Sequence, residues 1–149
     1  MTSTRAADAP VADGVARLRV LIVDDSIGYG VLVSAWLDGH EDLEVVGAVR
    51  TPEEALEALV VCAPDVLMLD HLLPDATHSG RVLERVRSLR PAAAVILVSA
   101  MPVQALGEVA AAVGADHFIS KAADVGALAA AIQVGVARRS QTRAISRQE

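Results

Sequence analysis

Short runs of apolar residues alternate along the chain with longer segments whose apolar residues return every three or four positions. The runs fall at Leu18–Val23, Leu43–Val49, Val66–Asp70, Ala94–Ser99 and Asp116–Ser120. They show little alternation with polar residues, and so predict strands covered on both faces, as in a parallel sheet. Between them, helical spacing appears in Ile27, Val31, Leu32, Ala35 and Trp36, and in Ala55, Leu56, Leu59, Val60 and Ala63. It recurs in Val82, Leu83, Val86 and Leu89, in Val103, Leu106, Val109, Ala110 and Val113, and in Leu128, Ile132 and Val136. Each set predicts the inward stripe of one helix.

Local signals frame these helices. Thr51-Pro52-Glu53-Glu54 carries a cap, a proline at the first helical position and the acid of a capping box. Pro91 ends the third helix, Gly114 has the place of a helix-ending glycine, and Asp124 caps a last helix from Val125 to about Arg139. Strands alternating with helices over short connections imply right-handed crossovers. The predicted class is α/β: a doubly wound five-stranded parallel sheet with helices on both faces. Residues 1–17 are expected to form a disordered N-terminal tail, 18–139 the folded domain and 140–149 a flexible basic C-terminal tail.

Composition narrows the function. With 149 residues the chain can bury one core unaided, and its single cysteine, Cys62, excludes an internal disulfide. Neither a membrane span nor a charged-then-apolar leader is visible, so a cytoplasmic protein is expected. A formal charge of −6 and 2% aromatic residues argue against nucleic-acid binding by the domain itself. The arginine-rich end is the one basic stretch.

Ligands of open α/β sheets bind beyond the carboxyl ends of the strands. A parallel arrangement brings Asp24 and Asp25, Asp70, Ser99 and Lys121 to that edge from four strands. Three clustered carboxylates need relief from protonation, the lysine or a metal. Oxygen ligands suit Mg²⁺, and a cation beside a lysine suits phosphoryl transfer, with Asp70 as the nucleophile forming an acyl phosphate.

Four blocks carry a family resemblance: Val20-Leu21-Ile22-Val23-Asp24-Asp25-Ser26; Asp65-Val66-Leu67-Met68-Leu69-Asp70 with Pro74; Val95-Ile96-Leu97-Val98-Ser99-Ala100; and Gly114-Ala115-Asp116-His117-Phe118-Ile119-Ser120-Lys121. Together they resemble the receiver domain of bacterial two-component response regulators, which implies a flavodoxin-like sheet of strand order 2-1-3-4-5. The resemblance implies that Asp70 takes a phosphoryl group from a sensor histidine kinase or a phosphotransfer protein. It implies Mg²⁺ on Asp25, Asp70 and the Leu72 carbonyl, with Asp24 acting through water. Lys121 and Ser99 would contact the phosphoryl oxygens, and Phe118 would turn inward with Ser99 as an aromatic switch. Two features depart from the family: Gly80 comes ten residues after Asp70 where eight is usual, and Ala122 replaces the proline after the lysine, so a trans bond is expected there. Leu72 and Met101 are apolar where a water would be oriented, which implies a slowly hydrolysing acyl phosphate.

Other readings stay open. The chain is read either as a phosphorylation-controlled interaction module whose only catalysis is its own phosphorylation and dephosphorylation, as the receiver half of a DNA-binding transcription factor, or as a receiver-like domain that binds partners without phosphate. A phosphohydrolase ranks low because Leu72 stands where a second acid is wanted, and a Rossmann dinucleotide site lacks its glycine-rich turn. His71 and His78 lack the cysteine or the paired-histidine spacing of a transition-metal site. The fifth helix carries no charge from Val125 to Ala137, and its small apolar residues, among them Ala127, Ala130, Ala131, Val134 and Gly135, predict a homodimer or partner surface shared with the fourth helix.

Overall fold

A computed structural model describes residues 17–71 and 79–148. The N-terminal tail, the loop residues Leu72, Pro74 and His78, and Glu149 lie outside them. Five strands, β1 (Leu18–Val23), β2 (Leu43–Val49), β3 (Val66–Asp70), β4 (Ala94–Ser99) and β5 (His117–Ser120), form one parallel sheet of order β2-β1-β3-β4-β5. The helices are α1 (Ile27–Asp38), α2 (Pro52–Cys62), α3 (Ser79–Leu89), α4 (Val103–Val113) and α5 (Val125–Gln148).

The central strands β3 and β4 are buried throughout, as unalternating apolar runs require. One face of the sheet, with Val20, Ile22, Met68, Ile96 and Val98, packs on Val33 and Leu37 of α1 and on Leu128 and Ile132 of α5. The other face, with Leu21, Val23, Leu67, Leu69 and Val95, receives Leu59 of α2 and Val82, Leu83 and Val86 of α3. Leu97 and Phe118 pack with Leu106 and Ala110 of α4.

The predicted caps form. Thr51 Oγ1 accepts from the Glu54 amide at 3.1 Å, and Glu54 Oε1 reaches back to the Arg50 amide at 2.8 Å, one residue ahead of the usual capping-box partner. Gly114 ends α4 at φ +82°, and Asp124 Oδ1 accepts from the Ala127 amide. On α5 the approach to the sheet is so close that a Cβ on Gly135 would lie 2.1 Å from Ile96 Cδ1.

Inward stripes are corrected: on α2 Ala55 and Leu59 are buried, but Val60 and Ala63, expected inward, are exposed. The α1 helix exists, but it turns Gly30, Val33 and Leu37 inward, leaving Ile27 and Val31 59% and 64% exposed. Apolar residues surround nearly its whole circumference, so periodicity could not select the inward face. The segment from Ser140, expected as a flexible basic tail, continues α5 to Gln148. Its anchor is Asp116 at the amino end of β5. This buried carboxylate accepts from the Val95 amide at 2.8 Å and pairs with Arg87 at 3.0 Å and with Arg139 of α5 at 3.7 Å.

Candidate functional site

The ladder that aligns the strands also aligns the residues just past their carboxyl ends. There the Asp24 amide bonds the Val49 carbonyl, the His71 amide the Val98 carbonyl and the Lys121 amide the Ser99 carbonyl, each at 3.0 Å. Asp24, Asp70 and Lys121 are therefore held by sheet-like hydrogen bonds rather than by free loops. Asp25 comes after Asp24 onto the rim and is exposed, whereas Asp24 and Asp70 are buried at 4% and 6% exposure.

The Lys121 ammonium lies between the two buried acids, 2.8 Å from Asp24 Oδ2 and 3.6 Å from Asp70 Oδ2. The other Asp24 oxygen, Oδ1, accepts from the Ser26 amide at 2.8 Å, and Ser26 Oγ in turn caps α1 by accepting from the Tyr29 amide at 3.2 Å. The pair Asp24-Asp25 thus does not cap the helix itself: Ser26 does. Burial on its own would lower the Lys121 pKa, but the hydrogen bond to Asp24 and the charges of Asp70 and Asp24 outweigh it, so the ammonium is held above its ordinary value.

One carboxylate oxygen from each of Asp24, Asp25 and Asp70 lies within 4.8 Å of the others. Three hard oxygen donors, two buried and one open to solvent, fit a cation such as Mg²⁺, which keeps several waters. Leu72, whose carbonyl was expected to complete the set, lies outside the described residues.

Ser99 is buried at the end of β4, and its Oγ accepts from the Met101 amide at 3.2 Å. That bond uses the hydroxyl oxygen as an acceptor and leaves its O–H available to donate. Phe118 is half-buried among α4 residues, with its ring over Gly107, where an added Cβ would meet it at 3.2 Å. The peptide bond before Ala122 is trans, as the missing proline predicted. His71 bonds Ser79 Oγ through Nδ1 at 2.9 Å, and Arg138 reaches His117 Nδ1 at 3.0 Å, which as partner of a guanidinium must accept. Burial and then the Arg138 charge push the His117 pKa down.

Two residues near the acids were missed from sequence. Tyr29 lies beneath the Lys121 ammonium, 4.9 Å from ring centroid to Nζ. Burial first, and then the charges of Asp24 and Asp70, push its phenol up to about 12. The available signal was positional: the first turn of α1 leaves β1 at its carboxyl end, so an inward side chain there overhangs the crevice. Arg50 Nε donates to the Asp25 carbonyl at 3.3 Å and stands beside an apolar cavity of about 300 Å³ lined by Ile27, Gly30, Val31, Ala48 and Val49.

The family model of the response regulator receiver domain matches residues 20–133. The chain belongs to that family. This receiver domain is 39% identical over 87 residues to a protein-glutamate methylesterase/protein-glutamine glutaminase of Caulobacter vibrioides, a match covering 58% of this chain and 25% of that protein. It therefore spans about a quarter of that curated relative's length. Among solved structures, the response regulator domain of Thermotoga maritima CheB is similar with a TM-score of 0.70 at 26% identity, over 80% of this chain and 96% of that one. The receiver domain of the response regulator NarL from Mycobacterium tuberculosis is similar with a TM-score of 0.67 at 29% identity, over 74% and 89% of the two chains. The predicted sheet order is that of the receiver fold. Among the described residues, no helix is long and apolar enough to cross a membrane.

Proposed function

We propose that this receiver domain accepts a phosphoryl group on Asp70 from a cytoplasmic sensor histidine kinase or phosphotransfer protein and so switches an interaction surface. The observation that carries the reading is the Lys121 ammonium held between buried Asp24 and Asp70 with Asp25 at the open rim. A carboxylate oxygen of Asp70 attacks phosphorus as the bond from phosphorus to the donor's imidazole nitrogen breaks, and the imidazole keeps that electron pair. Lys121, already 3.6 Å from Asp70, meets the oxygens of the incoming group, and Ser99, whose Oγ accepts from the Met101 amide, donates its O–H to them. Asp24, Asp25 and Asp70 would hold Mg²⁺, which when bound offsets the negative charge of the phosphoryl oxygens. The exposed Ile27 and Val31, beside the rim, suit a protein donor with an apolar docking face.

On the output side, Phe118 would turn inward from its place over Gly107 when Ser99 moves. We place a homodimer or partner contact on α4 and α5, where Val103 and Val134 are exposed. Ala131 and Gly135, counted in that surface from sequence, face the core and are left out of it.

The test is incubation of the wild type and Asp70→Asn with a small acyl phosphate and Mg²⁺, followed by intact mass. A base-labile phosphate adduct on the wild type alone is expected. Equal adducts on both proteins, or none on either, would remove Asp70 as the acceptor.

A further inference from the structure

Among the described residues the Lys121 ammonium faces two acids and one aromatic ring. Its Nζ is 2.8 Å from Asp24 Oδ2, 3.6 Å from Asp70 Oδ2 and 4.9 Å from the centre of the Tyr29 ring. The ring is firmly placed. Its residue sits in the first turn of α1, its amide is bonded to Ser26 Oγ, and its half-buried side chain packs on the core shared by α1 and α5.

Asp24 holds the ammonium more closely than Asp70 does, although Asp70 is where the phosphoryl group would arrive. An ion pair with Asp24 therefore competes with the contact the reaction needs. An aromatic face attracts a cation through its quadrupole without offering a carboxylate, and does so more strongly in a partly dehydrated site. We infer that Tyr29 is a positioning residue for phosphoryl transfer, its ring keeping the Lys121 ammonium over the crevice and available to the group on Asp70. The inference rests on the function proposed above and adds a residue to it.

The experiment compares Tyr29→Leu, Tyr29→Met and Tyr29→Phe with the wild type, using a small acyl phosphate as donor. An exposed-to-partly-buried cation–aromatic contact corresponds to a rate loss of about fivefold. That loss is expected in Tyr29→Leu and Tyr29→Met, with Tyr29→Phe close to the wild type because it keeps the ring. Mg²⁺ affinity should change less than the rate in all three, since Tyr29 supplies no ligand and reaches the ion only through Lys121. A purely structural role would lower stability without this split between rate and metal affinity, and without rescue by phenylalanine.

A second readout needs no phosphate. In NMR spectra the ε-methylene protons of Lys121 should be shifted upfield by the ring current in the wild type and in Tyr29→Phe, and return toward the free-lysine position in Tyr29→Leu. Wild-type rates in Tyr29→Leu, a loss in Tyr29→Phe as large as in Tyr29→Leu, or unshifted Lys121 protons in the wild type would each overturn the inference. Absence of phosphate on wild-type Asp70 would instead strike the proposed function, because the ring-current result stands apart from it.

Discussion

Replacing Lys121 by methionine keeps most of the side chain's volume and removes its charge. Without metal, Asp24 and Asp70, at 4% and 6% exposure, are then left with an excess of negative charge. Removing one partner of a buried pair typically costs 3–5 kcal/mol, because the remaining charge stays buried without its partner. Here two acids lose a cation at 2.8 and 3.6 Å, while exposed Asp25 keeps the crevice open to water. The lower end of the range applies, so Lys121→Met should cost about 3 kcal/mol in urea unfolding with excess EDTA. Mg²⁺ binding to the folded chain alone adds about 2.7 kcal/mol at a hundred times its dissociation constant. The variant, freed of a competing ammonium, should bind the ion more tightly and recover most of its deficit as Mg²⁺ is raised. Adding Asp24→Asn to Lys121→Met removes the stranded charge and should restore stability in EDTA. Were Lys121→Met within about 0.5 kcal/mol of the wild type in EDTA, or were Asp24→Asn a further loss in its background, the charge argument would be refuted.

At Gly135, alanine would gain up to about 1 kcal/mol of helix propensity but drive its Cβ against buried Ile96, an overpacking cost of about 1–3 kcal/mol. Gly135→Ala should lower the urea midpoint, and Ile96→Val, which removes the clashing Cδ1, should raise it again in that background; additive losses would contradict the packing. Stability should also fall at alkaline pH. The folded chain holds the Tyr29 proton up to about 12, against an ordinary value of 10.0, and raises Lys121 above 10.5. Groups raised in the fold contribute fully below their unfolded pKa and lose that contribution as pH climbs through the folded one. Melting temperature should therefore drop between about pH 10 and 12, less steeply in Tyr29→Phe; a drop confined to pH 7–9 would exclude these groups as its cause.

Much of this was legible in the chain. Unalternating runs such as Val66–Asp70 identify strands buried on both faces, and parallel strands necessarily line up the residues at their ends. Asp24, Asp25, Asp70 and Lys121 could therefore be brought together without coordinates. The inward face of α1 could not, since Ile27, Val31, Val33 and Leu37 offer equal reasons for burial and only packing against β1 and α5 chooses among them. The length of α5 was hidden for a different reason. Ser140–Gln148 carries no apolar stripe and extends a helix whose earlier turns are already docked, with Arg139 fixed to Asp116. Tyr29 drew no notice in the sequence because its partner there, an ammonium, follows a strand far away in sequence.

The strand β5 has four residues and lies at an edge of the sheet, where one neighbour alone supplies its ladder. Immediately before it Asp116 is clasped by two guanidiniums, and immediately after it Lys121 is clasped by two carboxylates. Sliding by a single residue would have to tear both clasps at once, while the apolar side chains between them would exchange faces. So brief a ribbon keeps its place through charge at its two ends, and the ammonium in the crevice inherits its alignment from an arginine cluster on the far side of the molecule.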